Sequence, residues 1–195
     1  MLFLTFKRRV FMKKLGLSDI LKTERCILKI PEESETEEVW DLIDDEVSHF
    51  MNFERWNNSD FILKRIQRIR KEAEQWKWWY TMVYLKDYTC IGQFWIPALN
   101  DETNNIEIGF WIWKKYWGKW YITECLEKIK YTAFRELWVE TIHLTVNPDN
   151  MNCKKVANKC WLSYDGTLKK WTKIKWVLID TEFYSITKEE YLWII

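Results

Sequence analysis

Glycine, proline and histidine are scarce in this chain, and neither charge sign dominates it. The 195 residues include 5 glycines, 3 prolines and 2 histidines, although glycine alone usually makes up about 7% of a protein. Lysine and arginine together number 30 against 29 acidic residues. A chain without excess positive charge lacks the field that drives binding to a phosphate backbone. We therefore expect no nucleic-acid partner.

Long apolar runs are also missing. No stretch approaches the about 20 uninterrupted apolar residues of a membrane-spanning helix. Near the start, lysines and arginines follow a short apolar piece, whereas in a signal peptide they precede it. We expect a cytoplasmic protein with no membrane partner. Residues 1–20 are predicted to be an unstructured N-terminal extension, with Met12 an alternative to Met1 as the start, and residues 21–195 to form one domain.

The five cysteines are odd in number, widely spread and without a C-x-x-C pair. This pattern favours reduced thiols over a disulfide framework. Because the 2 histidines are not clustered with cysteines at ligand spacing, we expect no metal.

Hydrophobic periodicity predicts an α+β domain with elements in the order β-α-α-β-β-β-α-β-α-β-β. The predicted strands are 23–30, three runs within 78–112, then 141–146, 163–170 and 177–186. The predicted helices are 35–50, 61–75, 121–137 and 149–162.

The most informative segment is EIGFWIWKKYWGKWYITE, residues 107–124, in which a strand leads through a short loop into a helix. A helix N-terminus presents unpaired N–H groups and the positive end of its dipole, which together favour an anion. Gly118 lets the backbone approach a phosphate oxygen closely. Lys115 and Lys119 flank it, so this loop is the candidate phosphate site.

This strand, K-x-x-G-x-x loop and helix resemble the pyrophosphate-binding element of GNAT superfamily N-acetyltransferases. The resemblance extends over residues 20–192. Within the superfamily, the sequence most resembles the ribosomal-protein N-terminal (alanine or serine) acetylases. Its motifs are Thr23-Glu24-Arg25, Ile108-Gly109-Phe110-Trp111, Tyr116 to Glu124 (YWGKWYITE), Asn147-Pro148-Asp149-Asn150, Lys159-Cys160-Trp161-Leu162 and the closing 184–191 (YSITKEEY).

The resemblance implies the GNAT fold, an α+β or three-layer α/β arrangement. Its mixed, mostly antiparallel sheet has about seven strands with helices on both faces. It also implies an acyltransferase that moves an acetyl group from acetyl-CoA to a primary amine by direct attack. The expected acceptor is an N-terminal amine of a ribosomal or other protein, and the expected state is a monomer or homodimer.

Roles follow for the residues that match the family motif. Glu107 would take the amine proton through water, or else be a solvated strand residue. Asn150 would bind coenzyme or an ordered water, or else be a helix N-cap. Cys153 would return a proton to the leaving thiolate, or else be structural. A main-chain N–H near Gly109 or Phe110 would stabilise the oxyanion. Coenzyme contacts are assigned to Phe110, Ile112, Lys115, Trp117, Gly118, Lys119, Trp120, Tyr121, Thr123 and Asn150.

The 15 tryptophans are as unusual as the 5 glycines. Trp120 stands where the family loop has its second glycine, and Trp138 and Trp161 stand at other family glycines. One hypothesis is that such tryptophans are glycines in the functional protein, because UGA encodes tryptophan in some genetic codes and glycine in others. The other is true divergence into an aromatic-rich relative. The nine suspect positions are Trp56, Trp76, Trp95, Trp113, Trp120, Trp138, Trp161, Trp171 and Trp176.

Two other functions remain open from the sequence. The first is a GNAT-fold binding module that has lost its coenzyme site and uses exposed tryptophans to contact a protein partner. The second is an acetylase of small amines such as aminoglycosides or polyamines. That activity calls for an acidic acceptor pocket, for which Asp44, Asp45, Glu46 and Glu54 are the candidates.

Overall fold

The described residues of the computed structural model, 19–51, 59–75, 78–97 and 103–194, form one sheet with helices around it. Eight strands pair in the order β1-β2-β3-β4-β5-β6-β8-β7. The strands are β1 (Leu21–Lys22), β2 (Cys26–Lys29), β3 (Trp78–Leu85), β4 (Cys90–Pro97), β5 (Asn105–Ile112), β6 (Thr141–Val146), β7 (Ser163–Ile174) and β8 (Val177–Thr187).

Adjacent strands are antiparallel except for β5 and β6, which run parallel. The long crossover between these two carries a helix, as parallel pairs require. The predicted mixed, mostly antiparallel sheet is confirmed, with eight strands where about seven were predicted.

Six α-helices are described: α1 (Thr36–Asp41), α2 (Asp45–His49), α3 (Asp60–Glu74), α4 (Tyr121–Tyr131), α5 (Met151–Lys159) and α6 (Lys188–Ile194). Met82 packs with Ile62 and Ile66 of α3, whereas Val83 packs in the cluster that holds Leu126 of α4. Consecutive strand residues point to opposite faces of a sheet. Helices therefore cover both faces, as predicted.

The helices differ in two places from those predicted from hydrophobic periodicity, and both differences have local causes. The predicted helix 35–50 is broken into α1 and α2, because the Asp44 carboxylate accepts from the N–H of Val47 at 2.8 Å and starts a new helix. Helix α6 was not predicted. Its signal was present, since Thr187 and Glu190 form a reciprocal capping pair at its start of the Ser/Thr-x-x-Glu type.

The predicted extension, residues 1–20, falls almost wholly outside the described residues. No helix within the described ranges combines the length and apolar character needed to cross a membrane.

Candidate functional site

The parallel strands β5 and β6 are paired only along the first half of β5. Their register runs from Asn105 opposite Thr141 to Ile108 opposite Leu144 and then stops. Beyond that point β5 continues to pair with β4, while β6 continues to pair with β8. The edge of residues 109–112 that faces β6 therefore borders a gap in the sheet.

The loop after β5 turns into α4 with two residues in the left-handed region. Gly118 has φ 73°, and Trp120, directly before α4, has φ 69° and ψ 9°. Within the described part of the chain, the consecutive amide N–H groups of residues 118–123 donate to no acceptor. A run of free amides at a helix N-terminus fits the pyrophosphate of a coenzyme.

A cleft of about 200 Å³ lies between this loop, the end of β5 and helix α5. Most residues assigned to the coenzyme line it. They are Phe110, Ile112, Trp117, Gly118, Trp120, Tyr121, Thr123 and Asn150, together with Cys153. The cleft also contains Lys155 and Lys159, which the sequence reasoning missed. The Lys159 ammonium lies 3.2 Å from the centre of the Trp120 ring.

Lys115 and Lys119 do not line this cleft. Both are exposed, and their ammonium groups lie 5.8 Å and 5.3 Å from the centre of the Tyr116 ring. The Lys119 carbonyl accepts from Arg25 at 3.0 Å. The contribution of Lys119 in this conformation is therefore to fix the loop through its backbone.

Asn150 and Cys153 open helix α5 beside the gap. The Asn150 side-chain oxygen accepts from the Cys153 N–H at 3.0 Å, which makes Asn150 the N-cap. Desolvation by burial raises the pKa of the Cys153 thiol to about 12. The thiol is therefore protonated at neutral pH.

Glu107 lies on β5 before the gap and is exposed. Its carboxylate accepts from the Thr145 hydroxyl at 2.7 Å. Thr145 lines a second cavity of about 320 Å³ on the other side of the gap. Glu107 thus reaches that cavity through Thr145.

The second cavity meets the cleft at a shared wall. Phe50, Met51, Phe110, Asn150 and Cys153 line both spaces. Trp95 and Gly109 also line the second cavity, and the Trp95 ring would clash with a Cβ on Gly109. Position 109 therefore accepts only glycine in this conformation.

Arg65 is the charged residue that lines the second cavity among the described residues. Its guanidinium donates to the Gln93 side-chain oxygen at 3.2 Å, and the same oxygen accepts from the Trp111 indole at 3.1 Å. Desolvation lowers the pKa of this guanidinium. The sequence reasoning missed Arg65, although it lies between Ile62 and Ile69 beside the apolar stripe of α3.

Of the predicted acidic acceptor cluster, Asp44, Asp45 and Glu46 do not line this cavity. The Asp44 carboxylate caps α2 and accepts from the Trp113 indole at 3.1 Å. Glu46 pairs with Lys114 and borders the first cleft. Glu54 lies outside the described residues. Over the described ranges, no group of three or more His, Cys, Asp or Glu could hold a metal ion.

Residues 25–161 match a family model described as an acetyltransferase (GNAT) domain. An uncharacterized N-acetyltransferase of Bacillus licheniformis, p20, is 26% identical over 179 residues, covering 89% of this chain and 98% of that protein.

Solved structures that share the fold include two whose ligands are known. One is the microcin C7 self-immunity acetyltransferase MccE in complex with acetyl-CoA and AMP, with a TM-score of 0.80, 19% identity and coverage of 90% of this chain and 99% of that chain. The other is RimL, a ribosomal L7/L12 alpha-N-protein acetyltransferase in complex with coenzyme A. Its TM-score is 0.78, with 14% identity and coverage of 88% and 99%.

Proposed function

This chain belongs to the GNAT acetyltransferase family, and we propose that it acetylates the N-terminal amine of a protein or peptide that carries an acidic group nearby. The predictions of a GNAT fold, an N-acetyltransferase and acetyl-CoA as cosubstrate are confirmed. The acceptor and the roles of the site residues are our proposal.

The observation that carries the proposal is the meeting of two cavities at the gap between β5 and β6. The cleft on the α4 side ends in free backbone amides, which suit the pyrophosphate of acetyl-CoA. The cavity on the other side is lined by Thr145, Gly109 and Arg65. Both reach Phe110, so a thioester and an amine that enter from opposite sides come together at that residue.

The reaction forms one C–N bond and breaks one C–S bond. The neutral amine attacks the thioester carbonyl, and its proton passes through water to Glu107, which is linked to the cavity by Thr145. Main-chain N–H groups at the edge of β5 stabilise the carbonyl oxygen as it gains negative charge. The coenzyme leaves as a thiolate and takes a proton from solvent.

An α-amine suits this arrangement better than a lysine side chain. The pKa of an α-amine is about 8, against about 10.4 for lysine, so a larger fraction is neutral near pH 7. A base that acts through water, such as Glu107, then has to deprotonate a smaller fraction of the amine.

Cys153 is a poor proton donor in this site. Burial raises its pKa to about 12, well above the about 8.5 of an ordinary thiol. Transfer of its proton to a coenzyme thiolate would therefore run uphill. We assign Cys153 to the shared wall of the two cavities and not to proton transfer.

The charge of the second cavity favours an anionic acceptor. Among the described residues that line it, Arg65 carries a positive charge and none is acidic. A cationic wall repels polyamines and aminoglycosides, whereas it attracts a carboxylate or phosphate close to the reacting amine. This argument favours the peptide acceptor over the small-amine alternative.

The test is acetyl transfer to short peptides of matched length. Peptides with Asp or Glu at the second position, Ala or Lys at that position, or a blocked N-terminus are incubated with acetyl-CoA and read by mass spectrometry. We expect acetylation of the free α-amine, fastest for the acidic peptides. Equal or faster acetylation of spermidine or kanamycin would refute the proposed acceptor class.

A further inference from the structure

We infer that the functional protein carries glycine in place of Trp120, Trp138, Trp161 and Trp176, so that its coenzyme loop has two glycines. The inference rests on backbone conformation and is independent of the acceptor.

The backbone separates these four tryptophans from the others. Among the described residues, eight that are not glycine have positive φ, and four of the eight are tryptophans, although only 15 of the 195 residues are tryptophan. The four φ values are 69°, 59°, 63° and 72° at positions 120, 138, 161 and 176. A residue with a Cβ enters this region at a cost, and glycine does not. The remaining four are Tyr88, Asn104, Lys170 and Lys175.

Trp161 ends helix α5 in a Schellman motif. The Leu162 N–H donates to the Ala157 carbonyl at 3.0 Å, and the Trp161 N–H donates to the Asn158 carbonyl at 3.2 Å. In this motif the residue in the left-handed conformation is usually glycine. Trp161 occupies that position, and the residue is 62% exposed.

Trp138 closes the helical segment that continues from α4. This segment ends in a wider turn over Thr132–Glu136, and the Val139 N–H donates back to the Ala133 carbonyl at 3.1 Å. The chain reverses through Trp138 in the left-handed conformation before β6. Glycine is again the residue that such a helix end favours.

Trp176 lies in the tight turn between β7 and β8. Ile174 pairs with Val177, so Lys175 and Trp176 form a two-residue loop, and their φ values are 45° and 72°. Positive φ at both positions defines a type I′ turn, which most often has glycine second. Trp176 is 87% exposed, so little packing offsets the conformational cost.

Trp120 belongs to the coenzyme loop. It immediately precedes α4 with φ 69°, and its ring lines the cleft against Lys159. Glycine at this position would remove the indole from the cleft and leave the Lys159 ammonium beside the free amides of residues 118–123. We therefore assign Lys159 as a further cation for the coenzyme phosphates.

Two other tryptophans, Trp117 and Trp111, do not have positive φ and make specific hydrogen bonds. Trp117 has φ −61°, and its indole donates to the Ile112 carbonyl at 2.8 Å. Trp111 is buried and donates to Gln93. Of the remaining suspects, Trp113 has φ −60°, and Trp95 and Trp171 are not among the residues with positive φ. Trp56 and Trp76 lie outside the described residues.

A single cause accounts for this pattern. Suppose that the gene comes from an organism that reads UGA as glycine, and that its sequence is translated with a code in which UGA means tryptophan. Tryptophan then appears at each glycine position encoded by UGA, while tryptophans encoded by UGG are unchanged. All four tryptophans are exposed, but an exposed binding surface explains the pattern less well. The four residues belong to four separate turns, and a binding surface does not require the left-handed conformation that they have in common.

The direct test is peptide mass spectrometry of the protein purified from the cells that carry its gene, together with the codons at the four positions. We expect UGA codons and glycine masses at all four, and a tryptophan mass at position 117. UGG codons, or tryptophan masses at the four positions, would overturn the inference.

A second test measures thermal unfolding of the tryptophan-containing chain and its variants. Trp138→Gly, Trp161→Gly and Trp176→Gly are each expected to raise Tm by about 2–4 °C, because each relieves a left-handed residue. The matched control Trp117→Gly has no such strain to relieve and loses a hydrogen bond, so its Tm should fall. The inference fails if the three variants lose Tm as the control does.

Calorimetry with coenzyme A completes the set. Trp120→Gly is expected to tighten binding by about tenfold, because the loop amides and Lys159 become available to phosphate. Tightening that disappears in the double variant Trp120→Gly, Lys159→Met would support the assignment of Lys159. Weaker binding by Trp120→Gly in folded protein would contradict the assignment of glycine to the loop.

Discussion

Replacing Arg65 by methionine tests the proposed acceptor most directly. Arg65 lines the second cavity, and its guanidinium is held by Gln93, which is held in turn by the Trp111 indole. Methionine keeps an unbranched apolar side chain of similar reach along α3 but removes the charge. The coenzyme cleft does not include Arg65, so coenzyme affinity should be unchanged.

The expected loss of kcat/KM in Arg65→Met is that of one charged hydrogen bond to the acceptor. Such a bond contributes about 1.5–3 kcal/mol, which corresponds to a loss of about 10- to 150-fold in kcat/KM. The loss should apply to peptides with an acidic residue beside the N-terminus. For peptides with alanine there, kcat/KM should fall by less than about threefold, because no charged partner is lost.

The assay is steady-state kinetics with the paired peptides, and Arg68→Met is the matched control. Arg68 lies on the same helix, its side chain is 58% exposed, and it pairs with Glu72 at 3.7 Å. This control should keep the preference for acidic peptides. If Arg65→Met slows both peptides equally, or if Arg68→Met loses the same selectivity, the proposed role of Arg65 is refuted.

Three further predictions concern the chemistry and the support of the site. Glu107→Gln should lower kcat by about 10²-fold with little change in coenzyme affinity, because it removes a base that acts through water; an unchanged kcat would exclude that role. Cys153→Ser should keep activity, and its rate profile between about pH 6 and 9 should match that of the parent, because a thiol with a pKa of about 12 does not titrate there. Lys130→Ala should lower the free energy of unfolding by about 3 kcal/mol in urea titrations, since the buried ammonium donates to the Cys160 carbonyl at 2.6 Å. The control Lys128→Ala should stay within about 0.5 kcal/mol.

The coenzyme side of the site was the more predictable half. Many of the residues that line the cleft lie between Phe110 and Thr123, so the strand, glycine loop and helix start could be recognised as one motif. Phe110, Gly118 and Thr123 line the cleft where the motif placed coenzyme contacts. Lys115 and Lys119 were also assigned to coenzyme, but spacing alone does not show which way an exposed lysine points.

The residues around the proposed acceptor cavity could not be predicted, because they are distant in sequence. Arg65 on α3, Gln93 on β4 and Thr145 on β6 meet only when the sheet and helices are assembled. Each by itself reads as an ordinary surface or strand residue. The acidic residues of 44–46, which suggested an acceptor pocket, instead cap a helix and pair with Trp113 and Lys114.

The sequence by itself determined the family, the order of most elements and the position of the candidate phosphate loop, because those depend on local periodicity and on contiguous motifs. It also raised the suspicion about tryptophan, because composition is counted without a structure. Only the tertiary structure decided which tryptophans occupy left-handed turns and where β5 and β6 part. It alone also placed Arg65 in the lining of the cavity that we propose for the acceptor. Backbone dihedrals and contacts between distant segments are set by the packing of the whole domain, and single letters do not encode them.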